Sequence, residues 1–562
     1  MMHCQSYELK IGLPEANVLR SSQVYASVSS TPSVCEMQAI LTAFITLLQT
    51  VVATPAPFEL TIREATPSPA NIQANLGSKL CKGASIYFPS SPEFGKFTTR
   101  WSIAAEGDIL VVVVPACAKD VSTVVKFANV VSLPFLAINR GHGTPSALGT
   151  IKHGILIRLD NLDGINVAAD GQTATLGGGV YSDQLHAKLA ETNKVAGKRE
   201  FSFIEISILR SLIATGSCGC VGIVGPGLGG GFGKWATLKD STQILQLNVT
   251  TADGSEVTVS QSSNADLFWG MRGAGHNYGI VTSFKQRIFD YPNGQNTYYV
   301  TYIFTGDQLE AFFNQVNKLL NNGTLPKDAN TFALYLLNPE VSAKPVIMFQ
   351  FFYFGTAAQA LPYVQPFLNL HPVVVSNATT LYKDLAHEAQ MTGVGDPVCA
   401  PGTTKFLVPV GLKEYNVEAN RKVYNLYSDM LTKHPALNGS VVQLEAYALE
   451  GSKAIDPAGS AYAHRDDNIL VSFSLSYAPS PDNDAAAIKY AKQARQYWIE
   501  GENGRQFSAY TNYAYGDESL QSVYGYEPWR LQRLRELKKK WDPKGRFNFY
   551  NPIVYLITSD GH

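Results

Sequence analysis

Residues 216–235 read GSCGCVGIVGPGLGGGFGKW, with seven glycines in the twelve positions 222–233. Lacking Cβ atoms, such a chain can bring its backbone N–H groups close to an anion, which is how a pyrophosphate is cradled. Gly225, Gly227 and Gly230 satisfy the GxGxxG spacing of a dinucleotide fingerprint. That fingerprint requires a following helix and an acidic residue about 20 positions on. Here ILQLNVTTADGSEVTVS (244–260) predicts a β-hairpin closed around Asp253-Gly254 instead. The nicotinamide-type reading fails on this context, leaving either a cradle for another cofactor or a bare glycine-rich turn. Two further glycine constellations, NRGHGTPSALG (139–149) with His142 between glycines and RGAGHNYGIVT (272–282), could converge with the first on one extended cofactor. Gln443, Glu445 and Tyr447 alternate along VVQLEAYAL (441–449) and so share one strand face. That face looks either into a cleft or into solvent. The ten His show no HExxH-type spacing, Cys218-Gly219-Cys220 is CxC rather than a paired CxxC, and no GxSxG elbow occurs. Metal and serine-hydrolase chemistry therefore lack support.

The elements that must position these residues divide the chain. From 77 to 290, short apolar runs are punctuated by glycine turns. ILVVVVPA (109–116) reads as a buried strand, KDVSTVVKFANVV (119–131) as an amphipathic helix and FLAINRG (135–141) as a second strand running into the His142 loop. ILIRLDNL (155–162) predicts a strand, 165–179 a hairpin and 184–192 a helix. Residues 291–500 hold fewer glycine clusters and more aromatics; TYYVTYIF, VIMFQFFYFG, VVQLEAYAL and ILVSFSLSYA predict a mainly antiparallel sheet in a second domain. The tail, 528–543, predicts an amphipathic helix stopped by Asp542-Pro543.

The 45 Lys plus Arg against 46 Asp plus Glu leave no basic field, which argues against nucleic acid as a partner. The apolar run AILTAFITLLQTVVA (39–53) is too short to span a membrane and has the length of a signal-peptide core starting after Met37. It predicts a leader over 37–56, an upstream extension over 1–36, a secreted or lumenal protein, and no stable membrane anchor. Sequons at Asn248, Asn322, Asn377 and Asn438 fit that route but occur about as often as chance gives. Seven Cys do not make a disulfide scaffold, although secretion would permit bridges among Cys81, Cys117 and Cys399, in a pairing the sequence does not disclose.

Taken in order, PACAKDVSTVVKFANVVSLPFLAINRGHG, TATLGGGV, CGCVGIVGPGLGGGFG and NADLFWGMRGAGHNYGIVTSF, with the tail segments AYTNYAYGDES (509–519) and RLQRLRELKKKWDPKGRFNFYNPI, resemble the flavin-linked oxidases of the vanillyl-alcohol oxidase superfamily. The resemblance is nearest to its berberine-bridge-enzyme-like group as found in fungi. It covers most of 77–290 and 505–553, and it implies an α+β fold. A two-subdomain, PCMH-type FAD-binding domain (77–290) would be closed by a returning C-terminal segment (501–562), with a substrate domain (291–500) built on an antiparallel sheet flanked by helices. FAD is the implied cofactor, bound covalently through His142 and through Cys218, which aligns with the family cysteine. Cys220 would then compete for the flavin or remain a buried thiol. Gly141, Gly143, Gly222, Gly225, Gly229, Gly230, Gly275, Asn277, Gly279, Ile280 and Asn512 fall at implied cofactor contacts. Three departures stand out: Arg140 replaces a glycine before His142, Pro226 replaces a histidine, and the strand after Ala463-His464-Arg465 offers only Ser and Phe where the family places a catalytic polar residue.

Flavin oxidation needs a base for the proton that leaves as the hydride departs. Tyr513 falls where the family carries a tyrosine near the flavin, either as base or substrate hydrogen bond or as packing with a satisfied hydroxyl. Glu445 and Tyr447 are the other candidates. The implied function is oxidation of a small organic molecule, an alcohol, amine, sugar or secondary metabolite, with O2 reduced to H2O2. A dehydrogenase of the same fold and a flavin-binding protein without turnover are the alternatives.

Overall fold

In the computed structural model, β2 (Ile109–Val114) leads through the helix Ala118–Val130 to β3 (Phe135–Ile138), the βαβ unit expected from the sequence. Both strands lie parallel to β4 (Gly154–Arg158), and β1 (Ser85–Tyr87) pairs antiparallel with β2, giving the order β1-β2-β4-β3. At the helix start the wholly buried Asp120 accepts N–H groups from Cys81 (2.7 Å) and Ala116 (2.9 Å). The Cys81–Cys117 disulfide ties the same corner. The structure describes residues 67–195, 218–231, 244–290, 296–320, 325–390 and 392–554. The expected extension and leader (1–36 and 37–56) and Asn322 lie outside them.

A second sheet is antiparallel throughout, in the order β5-β6-β10-β8-β9. It comprises β5 (Ile165–Val167), β6 (Thr173–Gly177), β8 (Ile244–Thr250), β9 (Glu256–Ser260) and β10 (Ile280–Arg287). The β8–β9 hairpin that excluded a dinucleotide fingerprint is present, closed by Thr251 N–H to Ser255 O (2.9 Å) with Gly254 at φ 84°. β7 (Lys194–Val195) and β11 (Phe289–Asp290) form a two-stranded ribbon.

The third sheet has seven antiparallel strands in the order β15-β12-β14-β13-β17-β18-β16. These are β12 (Asn296–Phe304), β13 (Ala329–Leu336), β14 (Val346–Tyr353), β15 (Val374–Leu381), β16 (Thr404–Leu412), β17 (Val441–Tyr447) and β18 (Ile469–Tyr477). Period-two alternation sorts its side chains onto unlike faces. Val300, Tyr302, Phe349, Phe351, Val442, Leu444, Val471 and Phe473 enter an aromatic-rich core with the helices Leu309–Leu319, Ala357–Leu368, Val417–Lys433 and Pro481–Gly501. The other face carries polar residues in register: Thr301 opposite Gln350, Gln350 opposite Phe332, Phe332 opposite Glu445, and Asn330 opposite Tyr447.

The tail helix Pro528–Trp541 stops at Asp542, as its sequence predicts. The Asp542 carboxylate accepts the N–H groups of Arg546 (2.6 Å) and Phe547 (2.8 Å) and pairs with the buried Lys538 (2.7 Å). Lys538 also donates to Asn277 O (3.1 Å), and Tyr278 OH donates to Leu534 O (3.1 Å), so the returning tail is fastened to the third glycine loop. Among the described residues no helix is long and apolar enough to cross a membrane.

Candidate functional site

The three glycine loops meet. At the end of β3, Asn139 Nδ2 donates to Gly178 O (3.0 Å) and Val180 O (2.8 Å), and a Cβ on Gly222 would lie 2.6 Å from it. Gly143 and His276 both rest on Tyr550, whose ring stacks on His276 at 4.0 Å and would lie 2.8 Å from a Cβ on Gly143. Gly275 packs on Leu228 of the second loop, and Gly279 packs on Val249 just before Ile280 opens β10 opposite Thr250. In the Cys218 loop a short helical turn, Val224–Leu228, leads to Gly229 and Gly230. Gly230 has φ +85° with its α-carbon against the Tyr462 ring, so both conformation and space demand glycine there. A Cβ on Gly225 would meet nothing within 4 Å among the described residues.

His142 leaves the loop beside Gly141, whose carbonyl accepts from Trp101 N–H (3.3 Å). Its ring stacks on Trp101 with centroids 5.4 Å apart, and Nε2 lies 3.3 Å from Cys220 Sγ. Burial, then the cations Arg140, Arg100 and Lys405, hold its pKa down to about 3, so the ring is neutral at ordinary pH. Arg140, the departure from the expected glycine, stacks over Tyr181 at 4.6 Å.

The Cys220 expectation needs correction. Rather than a competitor for flavin or a buried thiol, Cys220 is disulfide-bonded to Cys399, 179 residues away. Chain from the second half lies over the CxC turn: Thr392 O accepts from Gly219 N–H (2.8 Å), and Val394 N–H donates to Asp183 (2.8 Å). Nothing local to Cys220 announces this crossing. Cys218 Sγ lies 3.6 Å from Cys220 Sγ, donates toward Thr392 O (3.5 Å), and is the cysteine of the pair outside a disulfide.

Several polar atoms around these loops are buried without a hydrogen-bond partner among the described residues: His142 Nδ1, Arg100 Nε and Nη1, and Asn512 Oδ1. A buried guanidinium with two bare nitrogens is costly unless an anion meets it. Arg100 donates its Nη2 to Gly143 O (3.3 Å), and burial, then the nearby Arg158, lowers its pKa to about 10. A ligand with a diphosphate and hydrogen-bonding edges satisfies this set, and the residues fit FAD. Arg100 carries no sequence signal, being a lone arginine outside every motif. Replacing it with Leu in a His142→Ala, Cys218→Ala background should weaken FAD binding about 10- to 100-fold without lowering the melting temperature of the apo-protein, as read by FAD titration and thermal melts.

Asn512 and Tyr513 join the loops to the sheet. Asn512 Nδ2 donates to Pro226 O (2.9 Å) and Tyr510 OH (2.7 Å), and its Oδ1 sits against Gly229 too closely for any side chain there. One residue on, Tyr513 OH donates to Glu445 Oε1 (3.0 Å). Glu445 is 1% exposed, and its carboxylate also accepts from Tyr447 OH and Gln443 Nε2. Gln443 is fixed in turn by Ser474, whose hydroxyl donates to Gln443 Oε1 (3.1 Å). Burial pushes the Glu445 pKa above the usual carboxylate range, although the hydrogen bonds from Tyr447, Tyr513 and Gln443 oppose it. Burial, and then the charge of Glu445, push Tyr447 and Tyr513 well above the usual phenol range. The face bearing Gln443, Glu445 and Tyr447 therefore looks into the protein, not into solvent. In the middle of β18 stand Ser472, Phe473 and Ser474, as the sequence reads, and its neighbour β17 carries the buried Glu445 carboxylate opposite Leu470.

Asn277 is wholly buried, and its amide is engaged by protein: Nδ2 donates to Tyr524 OH (3.0 Å), and Oδ1 accepts from Ile553 N–H (2.8 Å). Its side chain clamps the tail behind the cofactor loops.

Residues 109–260 match the FAD binding domain family and residues 509–554 the berberine and berberine-like family. The chain is 40% identical over 492 residues to the FAD-linked oxidoreductase anuG of Penicillium roqueforti, covering 87% of this chain and 92% of that protein. The fold resembles a xylooligosaccharide oxidase from Myceliophthora thermophila (TM-score 0.70, 21% identity, 86% of this chain and 98% of that one). It also resembles the glucooligosaccharide oxidase of Acremonium strictum, described with a 6-S-cysteinyl, 8α-N1-histidyl FAD (TM-score 0.69, 20% identity, 86% and 98%). Converging glycine loops, a buried carboxylate opposite them and these relationships agree: the chain belongs to the berberine-bridge-enzyme-like FAD-linked oxidoreductases.

Proposed function

We propose that the protein is an oxidase of a small organic molecule that removes a hydride from a carbon bearing a hydroxyl or amine, with Glu445 and Tyr513 together accepting the proton. The observation that carries this is the Tyr513 to Glu445 hydrogen bond (3.0 Å) one residue from Asn512, which is bonded to the glycine loop (2.9 Å). Bound in this cradle, FAD would supply the acceptor for the hydride and the route by which its electrons reach O2 as H2O2. A phenol pushed well above its usual range cannot hold a phenolate as a lone base. Tyr513 therefore takes the substrate proton on its oxygen while releasing its own to Glu445 Oε1. Glu445 suits this task because burial raises its proton affinity. Gln443 keeps the carboxylate turned toward Tyr513, lying 3.4 Å from that hydroxyl. The cofactor lies in 77–290 with 501–562 returning over it, and the substrate meets the polar face of the sheet in 291–500.

His142 and Cys218 are the attachment points. A ring kept neutral down to about pH 3, with Nδ1 buried and bare, offers a nucleophilic nitrogen at any working pH. Cys218 keeps its thiol because Cys220 is bonded to Cys399. Two disulfides among the described residues also favour passage through an oxidising, secretory compartment.

Anaerobic mixing with candidate substrates, followed by admission of air, tests the activity. Bleaching with fast recovery and stoichiometric H2O2 is expected. Slow recovery would make it a dehydrogenase, and no bleaching with any substrate would leave only a flavin-binding protein. For attachment, acid precipitation should leave the pellet yellow, with flavin on peptides containing His142 and Cys218. His142→Ala should leave a flavin held by Cys218 alone, at lower potential. A flavin that still resists denaturation after His142→Ala and Cys218→Ala together would sink the linkage.

A further inference from the structure

Trp101 lies against the His142 ring, with centroids 5.4 Å and planes 25° apart. The residues that fix it come from the second half of the chain. Trp101 Nε1 donates to Val398 O (2.7 Å), and Ile103 N–H donates to Thr403 O (3.1 Å). Between them Ser102 is wholly buried, its hydroxyl donating to Lys405 O (2.8 Å) and accepting from Lys405 N–H (2.9 Å). Lys405, 5% exposed near the start of β16, turns its Nζ back to donate to Trp101 O (3.0 Å) and Ala400 O (2.8 Å). The same ammonium stands 5.1 Å from the centre of the Trp101 ring. Desolvating an ammonium is costly, and here two carbonyls and a ring face offset it. Residues 101–103 and 398–405 thus form a clasp, with the indole facing His142.

We propose that Trp101 and Lys405 are positioning residues for flavin attachment: the clasp holds the indole on His142 and so aims the nitrogen that bonds the flavin. The inference rests on attachment at His142. That residue stands between Gly141 (φ 72°) and Gly143, so its chain neighbours have no side chains to steady the ring. Trp101 covers one ring face, and Cys220 Sγ lies 3.3 Å from Nε2. Nδ1 is left, buried and without a hydrogen-bond partner. Attachment exchanges a methyl C–H of FAD and the ring N–H of His142 for one C–N bond, the two hydrogens and two electrons leaving through the flavin to O2 as H2O2. Such a bond forms when nitrogen and carbon stand about 3–3.5 Å apart and aligned, and a displacement of about 1 Å can cost about 100-fold in rate. The aim of the ring therefore governs the rate, and Trp101 sets the aim. Lys405 acts at one remove, by keeping the indole in place. The Thr403–Lys405 side of the clasp does not run through the Cys220–Cys399 bridge, so flavin on His142 should survive loss of that bridge.

The test uses the full chain carrying Cys218→Ala, in which acid-stable flavin comes from His142 alone. Two quantities are read on protein harvested at a fixed time after induction: total flavin per chain from the native spectrum, and the share that stays on the His142 peptide after acid precipitation. Trp101→Leu should leave total flavin within about twofold of the parent while the His142 share falls at least about tenfold. Trp101→Phe keeps a ring face against the imidazole and should restore most of the share. Lys405→Met leaves the indole but removes its hold, and should lower the share about threefold. If Trp101→Leu does not fold, Lys405→Met carries the same comparison. An unchanged His142 share in Trp101→Leu and Lys405→Met would overturn the proposal. So would a share that falls only in step with total flavin and melting temperature, which is loss of fold rather than of aim. Failure of the attachment reading is a separate result: the Cys218→Ala parent would itself show no flavin on His142.

Discussion

Glu445→Gln is expected to slow substrate-driven flavin reduction by about 10³-fold while leaving the spectrum of the bound flavin intact. Glutamine has the same size, so a side chain that is 1% exposed can be replaced without a cavity or a clash. Its amide oxygen can still accept from Tyr513, but it cannot take the proton. Tyr513→Phe should cost a comparable factor, because it removes the hydroxyl through which the proton reaches Oε1. Tyr447→Phe should cost less at high pH, since Tyr447 bonds the other carboxylate oxygen. That bond is one of the three opposing the raised Glu445 pKa. The reduction rate should therefore fall as pH drops through the Glu445 pKa, and Tyr447→Phe should move this limb to higher pH. Stability supplies an independent check. A carboxyl whose folded pKa is raised stabilises the fold fully below its unfolded pKa of about 4.3 and loses that contribution as pH rises through the folded value. At pH 7 the buried ionised Glu445 is thus a net cost, and Glu445→Gln should melt no lower than the parent. Stopped-flow reduction across pH, read beside thermal melts, separates this from a structural role: a variant that is slow because it is misfolded would also lose melting temperature and flavin absorbance.

What could be read from the residues was whatever is local in the chain. The βαβ unit around β2 and β3, the hairpin at Asp253-Gly254 and the stop at Asp542 each depend on a run of hydrophobic spacing and one turn or cap, and each stands where expected. His142, Cys218 and Asn512 could be singled out because they lie in glycine-rich or tail motifs. Glu445 was visible only as one of three residues sharing a strand face. Whether that face met solvent depended on strand order and on a tail segment returning from 68 residues away to set Tyr513 against it. That the strand after Ala463-His464-Arg465 has β17 beside it, with Glu445 opposite Leu470, depends on strand order, which no local run of residues discloses. Arg100 and Cys399 had no motif at all. Their roles come from packing between segments hundreds of residues apart, as in Trp101 Nε1 donating to Val398 O (2.7 Å). The four helices beneath the sheet were expected only as flanking material, since their part is to fill the aromatic core and leave the opposite face to chemistry.

Removing the Cys220–Cys399 disulfide by paired Ser substitution is expected to destabilise the protein by about 4–5 kcal/mol, the upper part of the range for a native bridge. In the chain-entropy account the effect grows with the logarithm of the loop closed. The separations of 179 and 36 residues then make this bridge worth about 1.4 kcal/mol more than Cys81–Cys117, from (3/2)RT ln(179/36). Denaturant unfolding of the two double-Ser variants measures the difference, and equal losses would show that native-state contacts rather than unfolded-chain entropy set both values. The functional consequence separates them further. Cys81–Cys117 ties the helix start at Ala118, outside the glycine loops, so its loss should lower stability and leave the proposed flavin linkages intact. Cys220–Cys399 holds the 392–399 segment over the CxC turn, where Thr392 O accepts from both Gly219 N–H and the Cys218 thiol. Loosening that segment frees the turn that aims Cys218. The single Cys399→Ser variant also releases a Cys220 thiol 3.6 Å from Cys218 Sγ, close enough for the two thiols to form a disulfide, with dissolved O2 taking the two electrons and two protons, and so withdraw Cys218 from the flavin. Peptide mapping should then show flavin retained on His142 and reduced on Cys218, with only part of the loss recovered when Cys220 is changed to Ser as well, because the paired variant still lacks the bridge that holds the turn. A Cys218 linkage unaffected in both variants would mean that the glycine loop alone positions this thiol, and that the second-half segment contributes only stability.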